Sequence, residues 1–208
     1  NHIHAQYNLG LIYYEGKYVD KDIKKGIHLI TLAADNNQPY AQYFLGLLYS
    51  NKSFIDKDIN KAIHYFSLAA NQNDLKSLYS LGELFLKGEL VARDINKAIN
   101  YFSLAAKQDH KVSQYTLGYI YIQGLFVDRN IIKGIDYLIQ SSSNNYCNAH
   151  FPVGYFYHEG KYVDRDVKKC IKYYKLASSF NSQYAKNNLG VIYKNGIDEI
   201  PINHSYAI

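Results

Sequence analysis

Residues 5–34 read AQYNLGLIYYEGKYVDKDIKKGIHLITLAA, and this stretch contains the whole architectural rule of the chain. Ala5, Leu9, Ile12 and Tyr13 follow one another at three- and four-residue intervals, which places them on one face of a helix. Gly16 then supplies a residue suited to the left-handed position that ends a helix. A short connector follows, with Asp22 near its end; aspartate there is a strong N-cap and announces a second helix. That helix turns Ile27, Ile30, Ala33 and Ala34 inward. The expectation is therefore a helix-turn-helix unit.

The unit recurs. Gly10, Gly46, Gly82, Gly118, Gly154 and Gly190 stand at an unbroken interval of 36 residues. With that register set, Tyr13, Tyr49, Phe85, Tyr121, Tyr157 and Tyr193 form one column, and Lys25, Lys61, Lys97, Lys133 and Lys169 form another. The cap column holds Asp22, Asp58, Asp94, Asn130 and Asp166. A lysine three residues after the cap opposes the helix dipole, and an i,i+3 contact with the capping carboxylate would offset this. A glycine inside a helix costs about 1 kcal/mol relative to alanine. Its return in every first helix implies close approach of another backbone. Gly26, Ala62, Ala98 and Gly134 leave the matching space on the second helices. Such pairs stack into a solenoid, each repeat burying its face on its neighbours. The fold expected is all-α: a right-handed αα-superhelix of five full repeats and one partial repeat. The repeats run over residues 3–38, 39–74, 75–110, 111–146 and 147–182, with 183–208 the partial one.

The pattern Ala5-x-Tyr7-x-Leu9-Gly10-x-x-Tyr13-x-x-Gly16, followed by Val19-x-x-Asp22-x-x-Lys25-Gly26, resembles the Sel-1-like repeat, a relative of the tetratricopeptide repeat. So does Lys97-Ala98-Ile99-x-Tyr101-Phe102-x-Leu104-Ala105-Ala106 in the third unit. The resemblance implies the right-handed solenoid and a role as adaptor or scaffold for other proteins, and it covers nearly the whole chain.

Three departures stand out. Lys52 replaces the helix-ending glycine of the second unit. Gln140, Ser141 and Ser142 replace the usual Leu-Ala-Ala, and Pro152 falls inside a first helix, which is expected to start late or kink. After Gly196 the pattern dissolves.

The composition is that of a folded chain, with 208 residues, 48% hydrophobic and 20% charged. Its 23 tyrosines and lack of methionine are unusual. The chain begins within a repeat and reads as a piece of something longer. The net charge of +5 is scattered, without the concentrated basic stripe of nucleic-acid binding. No apolar stretch approaches the ~20 residues of a membrane span. Cys147 and Cys170 stand in columns of apolar or small residues, which reads as buried thiols and favours a reducing, cytoplasmic setting.

Catalytic and metal motifs do not emerge. Asp20-x-Asp22, Asp56-x-Asp58 and Asp164-x-Asp166 recur as connector chemistry, and His2-x-His4 lacks further ligands nearby. No enzyme activity, cofactor or metal is expected. The alternatives are a hydrolase or small-molecule-binding enzyme on the repeat array, or a structural spacer in a larger signalling protein. In the leading reading the first helices line a concave groove that takes a protein or peptide partner, and the chain is a monomer or weak oligomer. The groove columns that vary between repeats name the candidates: Leu11, Leu47, Tyr119 and Tyr155 one residue after the core glycine, and Tyr14, Leu86, Ile122 and His158 four after it. Exposed aromatic and aliphatic side chains in a groove mark an interaction surface.

Overall fold

The computed structural model describes residues 2–51 and 56–196. The described residues form eleven α-helices and no strand. First helices are α1 (Ile3–Glu15), α3 (Pro39–Ser50), α5 (Leu75–Lys87), α7 (Lys111–Gln123), α9 (Cys147–Glu159) and α11 (Gln183–Asn195). Second helices are α2 (Ile23–Asp35), α4 (Ile59–Asn71), α6 (Ile95–Ala106), α8 (Ile131–Ser143) and α10 (Val167–Ser179). The chain is the expected all-α repeat solenoid. Its contacts divide it into two compact units, residues 1–105 and 106–208. In unit 1, α1 packs on α2 and α3 on α4, while α2 and α4 each pack on the first helix that follows. Unit 2 repeats the scheme with α7 on α8, α8 on α9, α9 on α10 and α10 on α11.

The connectors follow the expected chemistry. Gly16, Gly88, Gly124 and Gly160 end their helices in the left-handed region, with φ between 66° and 72°. Gly196 keeps a positive φ but has ψ of 143°, so it does not close a left-handed cap. Lys52 lies outside the described residues, as does the tail after Gly196. The side chains of Asp22, Asp58, Asp94, Asn130 and Asp166 accept the amides of Lys25, Lys61, Lys97, Lys133 and Lys169 at 2.9–3.0 Å. Lysine and cap also pair in three of these, with Lys97 Nζ 3.4 Å from Asp94. The same lysines lie over the aromatic column, Lys25 at 3.9 Å from the Tyr13 ring centre and Lys133 at 4.1 Å from Tyr121. That ring in turn stacks on the second helix in Tyr49–Tyr65, Phe85–Tyr101, Tyr121–Tyr137 and Tyr157–Tyr173. Much of the tyrosine excess is thus structural.

The glycine column does more than admit a backbone. A Cβ on Gly46 would stand 2.4 Å from Phe66, one on Gly82 2.5 Å from Phe102, and one on Gly118 2.8 Å from Leu138. Gly10 and Gly154 receive Ile30 and Tyr174 in the same way. The glycine is a seat for the largest core side chain of the second helix. Backbone approach is added where both helices carry glycine: a Cβ on Gly134 would meet Gly118 O at 2.7 Å.

The irregularities expected around Pro152 are corrected in part. Helix α9 starts in register at Cys147, with Pro152 inside it, so it does not start late. Helix α8 keeps 13 residues through Ser143. Ser141 and Ser142 are tolerated because their buried hydroxyls have partners, Lys111 O at 2.7 Å and His150 Nδ1 at 2.8 Å. Cys170 is fully buried, as its column implies, whereas Cys147 at the start of α9 is only half-buried.

Candidate functional site

The two variable columns of the first helices separate into packed and presented side chains. Leu11 and Tyr14 pack against the core of the first two repeats, and the Tyr14 ring meets Phe44 edge-on at 5.2 Å. Leu47 is half-buried against the core cluster around Phe66 and Leu81. Ile122 lies over Gly134, and His158 Nδ1 is 3.4 Å from the buried Tyr174 hydroxyl. Leu86 is half-buried. Tyr119 and Tyr155 are the presented pair, 36% and 44% exposed.

In unit 1 the columns border a cleft of about 290 Å³ between α3 and α5. Leu47 and Ser50 come from one first helix and Glu83 from the next, with Tyr79, Lys87 and Leu90 closing the rim. The Lys87 ammonium donates to Glu83 at 2.5 Å, one turn along α5. The cleft thus has aliphatic and aromatic walls and two acids, Glu83, paired with Lys87, and Glu89.

In unit 2 the same columns surface as aromatic clusters. Tyr119 leans on Tyr115 at 4.7 Å between ring centres, and Tyr115 meets Tyr146, the N-cap of α9, at 5.0 Å. Burial, with a hydrogen bond to Tyr119, pushes the Tyr115 phenol up, so it stays protonated as a donor. Tyr155 lies against Phe151, which also touches Tyr184 of α11 at 5.7 Å. Aromatic rings offer large contact area at small entropic cost, and a phenol adds one polar handle.

Chemistry-bearing groups elsewhere in unit 2 are poised against reactivity. Burial pushes the Cys170 thiol up to about 12, far from the thiolate needed for attack. Burial also raises the Tyr174 phenol, whose oxygen accepts from Asn188 Nδ2 at 3.0 Å. His110 and His150 are both lowered by burial, and Lys111 lowers His110 further. His110 caps α7, and His150 holds Ser142, so both act on structure.

Two polar features of the repeat boundaries were not read from the sequence. Asn37, Asn73, Asp109, Asn145 and Asn181 all adopt positive φ between second and first helices. Short polar side chains tolerate that region, and their 36-residue column was the available signal. Gln42 and Gln114, buried at one register, donate to Ala34 O and Ala106 O at 3.1 Å.

Antiparallel helix pairs, glycine seats and capped connectors define an αα-repeat protein. The chain belongs to the Sel1-repeat family: the Sel1 repeat model matches residues 3–38, 39–74, 75–110, 111–146, 148–179 and 183–208. Sel1-repeat proteins generally act as protein-interaction scaffolds and are typically not enzymes. Among solved structures, the chain is similar to c5321, a protective antigen of uropathogenic Escherichia coli, with 27% identity and a TM-score of 0.90. That match covers 99% of this chain and 44% of c5321, so the chain spans under half of that relative's length. A Sel1 repeat protein from Oxalobacter formigenes matches with 30% identity and a TM-score of 0.80, over 100% of this chain and 84% of that one. The immunity protein Pa5087 of Pseudomonas aeruginosa shares the fold at 18% identity and a TM-score of 0.50, over 99% of this chain and 75% of its own. Comparison with curated proteins gives no match. No helix among the described residues is long and apolar enough to cross a membrane.

Proposed function

We propose that this chain is an interaction scaffold that holds an apolar segment of a protein partner against its first helices. The observation that carries the reading is the fate of the variable columns. Leu47, Ser50 and Glu83 of these columns line the α3–α5 cleft in unit 1, and Tyr119 and Tyr155 are exposed in unit 2. The constant columns are consumed by glycine seats, caps and ring stacks, so selection for a partner can act on the variable ones without harming the fold. Tyr119 and Tyr155 are the contacts assigned to a partner in unit 2 and, separately, Leu47 and Leu86 those in unit 1. Leu11, Tyr14, Ile122 and His158 are packed into the repeats and are not assigned to the partner.

The test is selection of peptides from a displayed random library against the chain. Enrichment of peptides with apolar or aromatic anchors is expected. Their binding is expected to weaken at least about tenfold, the loss of one good aromatic contact, in Tyr119→Asp/Tyr155→Asp. Failure to enrich any sequence, or equal binding by the double variant, would overturn the proposal.

A further inference from the structure

The repeat gathers onto one end of its helix pairs two properties that the linear sequence disperses. The five stretches joining first to second helices read Tyr18-Val19-Asp20-Lys21, Phe54-Ile55-Asp56-Lys57, Leu90-Val91-Ala92-Arg93, Phe126-Val127-Asp128-Arg129 and Tyr162-Val163-Asp164-Arg165. Each sets a bulky apolar side chain three residues before a cation. The windows 16–25, 52–61, 88–97, 124–133 and 160–169 hold 15 of the 23 basic side chains and 9 of the 18 acidic ones. These windows take in the first turn of each second helix, and the positive surplus lies there, in the helix-start lysines; the stretches between the helices hold nearly equal numbers of bases and acids, and the rest of the chain is close to neutral.

Within each unit the described connectors share one end of the helix pairs, because each leaves the C-terminus of a first helix. The apolar tips point into solvent: Tyr18 is 73% exposed and Phe126 64%, with Leu90 and Tyr162 less so. Phe126 takes φ of 61°, a conformation that a bulky side chain rarely adopts, and the fold holds it there. Cations flank the tips. Lys17 Nζ lies 5.3 Å from the Tyr18 ring centre and Lys161 Nζ 5.2 Å from that of Tyr162. Arg129 Nε donates to Ile122 O at 2.8 Å, which fixes its charge at the end of α7. The cap carboxylates are engaged by helix amides, and Asp20, Asp128, Asp164 and Glu89 balance the connector cations, so the positive field at this end comes from the lysines that open the second helices.

We infer that the connector edge of each unit docks on an anionic lipid surface. The aromatic and leucine tips enter the interfacial layer, and the flanking lysines pair with headgroups. The charge sign selects an anionic surface, and the spacing of the tips favours lipid. They are single side chains, one per repeat, with charges between them. A fluid headgroup layer accepts that pattern without matching its shape, and rings with nearby basic side chains suit the interface. A protein partner would call for a contiguous apolar patch. Lipid docking does not depend on recognition at Tyr119 and Tyr155, although in unit 2 the edge adjoins that face, since Phe156 meets both Tyr155 and Tyr162.

Flotation of the full chain with vesicles tests this. Binding is expected to vesicles of phosphatidylcholine with ~30% phosphatidylserine, and not to phosphatidylcholine alone. Raised salt should weaken it, and Phe126→Ser/Tyr162→Ser should weaken it about tenfold or more. Lys17→Glu/Lys161→Glu should do the same, whereas Tyr119→Asp/Tyr155→Asp should float like the wild type. These positions are exposed, so unchanged thermal melts are expected to accompany the losses. Equal flotation with both vesicles, no flotation with either, or undiminished flotation of the tip variant would overturn the inference. So would a chain that ignores vesicles but binds heparin or polyaspartate, which would assign the edge to a soluble polyanion.

Discussion

At the scale of single residues, one register position carries the fold. Gly82 exists because Phe102 occupies the space its Cβ would fill. Gly82→Ala should gain about 1 kcal/mol of helix propensity and lose more to overpacking, for a net loss of about 1–2 kcal/mol in urea denaturation. Phe102→Leu in the same background should recover part of it; a stabilised Gly82→Ala would refute the seat. Asp58→Ala should cost about 1 kcal/mol and Asp58→Asn much less, because only a side-chain acceptor for the Lys61 amide is needed. The caps and left-handed glycines were legible because their chemistry is local. The occupant of each glycine seat was not. It comes from a different helix, 20 residues on, and varies from Ile30 through Phe66 to Tyr174.

At the scale of elements, α8 and α9 show how local propensity yields to packing. Pro152 denies Asn148 O its helical donor, yet α9 runs in register because its faces pack on α8 and α10. Pro152→Ala should therefore raise stability by roughly 1–3 kcal/mol, read as a higher urea midpoint. A lower midpoint would show that the ring itself is needed for packing. His150 explains why Ser142 replaces an alanine at the end of α8, a pairing across eight residues that helix periodicity does not reveal. Burial holds His110 and His150 neutral, with folded pKa values below the unfolded ~6.5. Their contribution is complete above that value and is lost as pH falls towards the folded pKa. Urea midpoints should thus drop between pH 7.5 and 5.5 (both about one unit from ~6.5). His150→Gln should shrink the drop, since Gln42 and Gln114 already serve at the same register.

At the scale of the whole molecule, the constant columns make the solenoid, and recognition, as proposed, falls to the variable columns of the first helices. The division was visible in the sequence as constancy against variation within one chain. Which variable residues emerge was not, because exposure depends on the next repeat: Phe44 covers Tyr14, while Tyr155 remains presented. The most direct test maps a library-selected peptide by amide chemical-shift perturbation. Shifts are expected along α7 and α9 around Tyr119 and Tyr155, with the exposed second-helix positions Asp136 and Lys172 unmoved. Shifts centred on α8 and α10, with α7 and α9 silent, would contradict recognition by the first helices.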